Sequence, residues 1–201
     1  MKTEAIRKLF QDSINVKKQI LEGDYLEIIA FMGDVIVDSI KNGGKLLLCG
    51  NGGSAADAQH LAAELLIRLR PENNREGLPA ISLAQDTSTI TACANDFGYE
   101  VLFERMVETI GNKGDVILGI TTSGKSENVN LALIAAKKIG INVFGFLGSG
   151  GGKSADLCDR SLIIPSNNTG RIQESHITAG HALMEYIEDK LIEDGYLSLE
   201  N

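Results

Sequence analysis

The sequence predicts an α/β protein: a doubly wound parallel sheet of about five strands, preceded by an N-terminal helical hairpin. Three features carry this. Two stretches of helical periodicity come first, five short continuous apolar runs follow, and longer helix-like stretches lie between those runs. Parallel strands covered on both faces read as unbroken apolar runs, and ligands of such sheets gather at the carboxyl ends of the strands.

The first helix is read over 4–22, where Ile6, Leu9, Phe10, Ile14 and Leu21 fall near helical spacing. The second, over 25–42, repeats this with Leu26, Ile29, Met32, Ile36 and Ile40. Asp24 and Glu27 form a D-x-x-E start resembling a capping box, and Gly43-Gly44 supplies a left-handed stop. From Lys45 the period changes. Apolar runs at 46–49, 80–83, 116–120, 143–147 and 162–164 predict buried strands, with helices between them at about 54–69, 99–110 and 127–139. A final helix is read from about 171 to 193.

The composition of 201 residues, 43% apolar and 23% charged, suits one globular domain with a substantial core. Twenty-seven acidic against 19 basic residues give a formal charge of −8, which argues against broad electrostatic binding to nucleic acid or an anionic membrane. A phosphate ligand would have to be held locally. No apolar run approaches a membrane span and the N-terminus lacks a signal-peptide stretch, so a cytoplasmic protein is expected. Cys49, Cys93 and Cys158 lack CxxC spacing and read as buried thiols.

Two glycine-rich loops carry the chemistry. In Cys49-Gly50-Asn51-Gly52-Gly53-Ser54-Ala55-Ala56, after a strand and opening a helix, the glycines permit close backbone approach while Ser54 and free helical amides can bind an anion. A tight turn without a ligand is the plainer alternative. Gly50, Gly52 and Ala55 also meet a relaxed dinucleotide fingerprint, but no acidic residue closes a second strand about 20 residues on. The second loop, Gly119 to Ser126, satisfies the P-loop pattern G-x-x-x-x-G-K-S in full. An ATPase also needs an acidic residue at a neighbouring strand end, and only Asp86, after Leu83, is available. Thr121, Ser123 and Ser126 are better read as hydroxyl donors around a phosphate at a helix N-terminus. A third cluster, Gly148 to Ser154, reads as a flexible loop, and the polar stretch 70–77 as a loop able to reshape a pocket mouth.

His60 and Glu64, four apart on the helix after the first loop, share a face and can bind a divalent metal, or Glu64 can act as a base oriented by His60. A capped surface pair is the commoner use of that spacing. Arg171-Ile-Gln173-Glu174, His176 and His181 follow late in the chain; His176 is the histidine expected to be structural or to lie behind the site.

Together GNGGSAADAQH (50–60), HLAAEL (60–65), ANDFGYE (94–100), GDVILGITTSGKSENV (114–129) and RIQESH (171–176) closely resemble the bacterial phosphoheptose isomerases, within the sugar isomerase (SIS) fold, across nearly the whole chain. The resemblance implies a single SIS domain over 1–201, with 1–43 as the hairpin used in oligomerisation. It further implies a homotetramer with active sites between subunits, and conversion of sedoheptulose 7-phosphate to D-glycero-D-manno-heptose 7-phosphate for heptose and lipopolysaccharide synthesis. Carried over, it places Asn51, Gly52, Gly53 and Ser54 on the substrate, Asn95 and Asp96 on sugar hydroxyls, and Thr121, Thr122, Ser123 and Ser126 around the phosphate. Glu64 and His181 would be the acid/base pair. His60, Glu64, Gln173 and His181 would ligate one zinc per subunit, with Glu64 and Gln173 also touching substrate. Such chemistry removes a proton next to a carbonyl, passes through an enediolate and returns the proton to the adjacent carbon.

Gln173 and His181 are eight residues apart, so roughly 12 Å of rise would separate them on one straight helix. One of them is therefore expected to join the His60/Glu64 site from a neighbouring subunit, or Gln173 to lie outside the regular helix. Leu66-Ile67-Arg68-Leu69 departs from the family's usual stretch of small residue, arginine and aromatic, which bears on substrate preference. Two other functions compete: a non-enzymatic SIS protein that binds the replication initiator, which lacks the acid/base pair, and an isomerase of another phosphosugar.

Overall fold

The computed structural model describes residues 2–199. Helices α1 (Lys2–Glu22) and α2 (Tyr25–Lys41) form the N-terminal hairpin, and five parallel strands follow: β1 (Leu46–Gly50), β2 (Ala80–Ser82), β3 (Val116–Thr121), β4 (Asn142–Leu147) and β5 (Arg160–Ile163). The sheet order is β2-β1-β3-β4-β5. Leu46 stands beside both Ala80 and Val116, Val116 beside Asn142, and Phe144 beside Arg160. In this order the chain leaves β1 in one direction and β3 in the other, which opens a crevice between their carboxyl ends.

Alternation along the buried strands divides the core in two. Leu46 and Leu48 of β1 join Val116, Leu118 and Ile120 of β3 beneath α2, helix α3 (Gly53–Ala63) and the long α8 (Thr169–Glu193). Leu47 and Cys49 point the other way, with Ile117 and Val143, beneath α5 (Leu102–Ile110) and α6 (Glu127–Ile139). Gly119 lets α6 approach β3: a Cβ there would meet Leu133 and Val129 at 3.0 and 3.1 Å.

The hairpin boundary forms differently from the expected capping box. Asp24 makes no side-chain cap bond, and its φ of −79° and ψ of 21° are not the extended geometry that aims a cap oxygen at the first turn. The stop after α2 is as expected: Gly43 has φ +81°, and Gly43 and Gly44 donate amides to Ile40 and Ser39. Two helices come where none was predicted, α4 (Thr87–Asp96) and the short α7 (Gly152–Leu157). Asp86 N-caps α4 by accepting from the Thr89 amide at 2.7 Å, a bond that lowers its carboxyl pKa. The third glycine cluster is a turn of successive positive-φ residues, Ser149 to Gly152, that opens α7 rather than an unstructured loop. It is docked on the second loop, where Ser154 donates its amide to the Gly124 carbonyl and a Cβ on Gly124 would overlap Gly151.

Cys49 and Cys93 are buried and Cys158 is half-buried, all as free thiols; burial pushes Cys49 and Cys158 up to about 12. Among the described residues no helix is long and apolar enough to cross a membrane.

Candidate active site

Both glycine-rich loops border the crevice between β1 and β3. Gly52 takes φ +56°, and Ser54, only 4% exposed, starts α3 with its amide donated to the Asn51 carbonyl at 3.0 Å. Across the crevice, Thr121 at the end of β3 shares a hydrogen bond of 3.1 Å with Ser126, which precedes α6. Ser123 accepts from the Lys125 amide at 3.2 Å, and Thr122 is half-buried beside them. Hydroxyls and an open helix N-terminus therefore surround one point, the arrangement that suits an anion. The competing ATPase reading loses its remaining acid, since Asp86 is committed to capping α4.

The two loops are joined by an amide pair. Asn51 donates to Asn128 and accepts from it, both at 2.8 Å, and the Tyr99 hydroxyl donates to the same Asn51 oxygen at 2.8 Å. This engages the Asn51 side-chain oxygen twice and leaves one Nδ2 hydrogen available. Asn128, 4% exposed, and Tyr99 were not singled out from sequence. Tyr99 also draws the segment that follows α4 toward the glycine loop. Asn95 and Asp96, the last two residues of α4, are exposed, with Asn95 donating to Asp96 at 2.7 Å.

The ionisable group lies further along α3. His60 Nε2 is 2.8 Å from His181 Nε2 and 3.1 Å from Glu64 Oε1, and the three ligand atoms lie within 4.8 Å of one another. Gly180 permits this meeting of α3 and α8, because a Cβ there would run into Leu61. Glu64 does not complete a regular α-helix; it opens a π-helical turn, Glu64–Arg68, where an unbroken helix to 69 was expected. Asp57, one turn before His60, has a buried Oδ2 with no hydrogen-bond partner; burial raises its pKa, and the charges of His60 and His181 pull it back. It too was missed from sequence.

Gln173 and His181 both lie in the unbroken α8. Gln173 stands at the first glycine loop, where a Cβ on Gly53 would overlap its amide. The structure thus brings His60, Glu64 and His181 together in one chain, places Gln173 two turns away, and removes the option that Gln173 sits outside the helix. His176 is structural. It is fully buried, donates from Nε2 to the Leu147 carbonyl at 3.0 Å and stacks on Phe146, and burial lowers its pKa to about 4. The polar loop 70–77 is tied to α8 through Glu188, which binds Arg70, Asn73 and Arg75, rather than standing free at a pocket mouth.

Two imidazoles and a carboxylate are the donor set of a catalytic zinc that keeps a fourth position open. The separations from His60, 2.8 and 3.1 Å, approach the roughly 3.3 Å between ligands of a tetrahedral ion at zinc–nitrogen distances, and all three atoms lie within 4.8 Å of one another. The residues therefore fit that metal.

A crevice at the switch point, a hydroxyl-lined loop and a cluster of two histidines and a glutamate are the arrangement of an α/β protein able to take a phosphorylated ligand. Residues 9–148 match the SIS domain family. The phosphoheptose isomerase of Clostridium acetobutylicum is 47% identical over 187 residues, 92% of this chain and 94% of that protein. Among solved structures, the phosphoheptose isomerase GmhA of Neisseria gonorrhoeae is 38% identical with a TM-score of 0.88, covering 94% of this chain and 100% of that one. A phosphoheptose isomerase from Francisella tularensis is 36% identical with a TM-score of 0.89, covering 94% and 99%. The chain belongs to the SIS domain proteins and, within them, to the phosphoheptose isomerase family.

Proposed function

We propose that this chain is an aldose–ketose isomerase converting sedoheptulose 7-phosphate to D-glycero-D-manno-heptose 7-phosphate, and that Glu64 and His181 are its acid/base pair. The observation that carries the roles is the convergence of Glu64, His181 and His60 from two helices in a chain of this family. One of the pair takes the proton from C1 of the ketose to form the enediolate while the other donates a proton to its C2 oxygen; the carbon-bound proton then returns to C2 as the C1 hydroxyl gives up its proton, leaving the C1 aldehyde. The loop of Thr121, Thr122, Ser123 and Ser126 holds the phosphate, and the backbone of Asn51, Gly52, Gly53 and Ser54, with Asn95 and Asp96, holds the sugar. Zinc held by His60, Glu64 and His181 would supply Lewis-acid polarisation of the substrate oxygens.

Two features support sites assembled between subunits. Glu64 is eleven residues along the α3 direction from Gly53, about 16 Å of helical rise, more than an extended seven-carbon chain alone covers. Gln173 meets the glycine loop of its own chain, so its service as a metal ligand requires a second copy. The hairpin over 1–43 is the proposed contact surface of a homotetramer: Ile6, Leu9, Phe10, Ile14 and Leu21 are all exposed, Phe10 by 70%. A monomer rarely leaves so continuous an apolar stripe to water. The product would feed heptose and lipopolysaccharide synthesis in the cytoplasm. A non-enzymatic SIS protein has no use for the acid/base cluster, and that reading is not favoured.

Glu64→Gln tests the assignment. The variant is expected to keep the native size in solution and lose turnover of sedoheptulose 7-phosphate; turnover at the original rate would remove Glu64 from the mechanism.

A further inference from the structure

The carboxylate of Glu64 is useful only if its backbone is fixed against α8, which carries His181. Glu64 opens a π-helical turn, in which the Leu65 carbonyl accepts from the Leu78 amide at 2.9 Å. Arg75, carried by the polar loop, adds further donors to the turn's carbonyls from outside the helix. Its Nη2 donates to the Glu64 carbonyl at 3.0 Å, and its Nη1 to those of Leu65 at 3.1 Å and Glu76 at 2.9 Å. Its Nε donates to Glu188 Oε1 at 2.5 Å. The Arg75 and Glu188 side chains are 1% and 2% exposed. Glu188 follows His181 by seven residues, two turns along the same stripe of α8. Its other oxygen accepts from Arg70 and from Asn73 at 2.8 Å.

We infer that Arg75 is a positioning residue: its guanidinium, anchored on Glu188, holds the π-turn carbonyls of Glu64 and Leu65 so that the Glu64 carboxylate meets His181. Arginine is suited to this because its planar fork reaches two carbonyls and a carboxylate together, where a lysine ammonium acts as a single point. Stability alone gives little reason to keep the pair. Desolvating two charges costs about what their attraction returns, and an apolar pair of similar volume is often as stable. What the ionic pair adds is direction, since it links one helix's final turn to a defined point on another. A misplacement of about 1 Å at a reacting group can cost on the order of 100-fold in rate.

The inference rests on Glu64 being an acid/base residue, so Glu64→Gln is run beside it. Arg75→Met/Glu188→Met replaces the pair with apolar side chains of similar length, and Arg75→Lys keeps the charge without the fork. For each variant, thermal midpoint, solution size, kcat and KM are measured with sedoheptulose 7-phosphate. The expected result is a native-sized protein with kcat lowered roughly 10- to 100-fold and KM changed less than about 3-fold. If the double variant does not fold, Arg75→Lys decides by the same split. A folded variant with unchanged kcat, beside an inactive Glu64→Gln, overturns the positioning role; an active Glu64→Gln overturns instead the reading on which it rests.

Discussion

Lowering the pH from 7.5 to 5 should expose the cost of burying His176. The Leu147 carbonyl can only accept, so Nε2 carries the proton of the neutral ring, while Nδ1 is buried with no partner. Protonating Nδ1 would place a charge beside Phe146 with nothing to receive its hydrogen bond. Burial thus lowers the folded-state pKa from 6.5 to about 4. Between those values the unfolded chain binds a proton that the folded chain does not, so stability is full above 6.5 and falls as the pH drops toward 4. The loss attributable to this residue is about 2 kcal/mol at pH 5 and reaches about 3 kcal/mol below pH 4. Urea unfolding at pH 7.5, 6.5, 5.5 and 5, at one protein concentration, would compare the natural chain with His176→Gln, which keeps an amide donor but does not titrate. The variant should be less stable at pH 7.5 yet lose about 2 kcal/mol less on going to pH 5. Parallel pH curves for the two proteins would refute the burial argument.

Other perturbations probe the site and its assembly. Gly53→Ala puts a Cβ against the Gln173 amide at a helical position, so folding should persist while kcat/KM falls roughly tenfold, as steady-state kinetics would show. Phe10→Asp places a charge on the exposed stripe of α1, and sedimentation should find species smaller than the proposed tetramer formed by the natural chain. Dialysis against a chelator should abolish turnover and zinc should restore it, with His60→Ala weakening zinc retention in a competition assay by at least tenfold.

The central strands were legible because both of their faces are covered, so they stand out as apolar runs such as 46–49 and 116–120; the edge strand β5 starts earlier than its apolar run, at exposed Arg160. Helix α4 was not legible, because Thr87–Asp96 is largely exposed and offers few apolar residues to set a period. The glycine of the third cluster hid α7, whose six residues are held by docking on Gly124 rather than by their own pattern. The capping box between the first helices failed for a related reason: Asp24 and Glu27 have the right spacing, but the backbone at Asp24 does not aim its side chain.

Within the site, spacing alone paired His60 with Glu64, since four residues on one helix make neighbours. The arrival of His181 from α8 depends on the close approach at Gly180, and the π turn at Glu64 is bound by Arg75 from the following loop; neither contact leaves a signature in residue spacing. Helix geometry did separate Gln173 from His181 in advance. The chain's fold bears this out by placing Gln173 on Gly53, two turns from the histidines.

The most direct test of the central assignment is NMR of the purified protein with sedoheptulose 7-phosphate in deuterium oxide, with zinc or with chelator, beside Glu64→Gln. The aldose phosphate is expected from the zinc sample, with deuterium at C2 to the extent that the proton held on the base exchanges with solvent, and no aldose from Glu64→Gln. Absence of the aldose in every sample, or its formation by Glu64→Gln at the original rate, would contradict it.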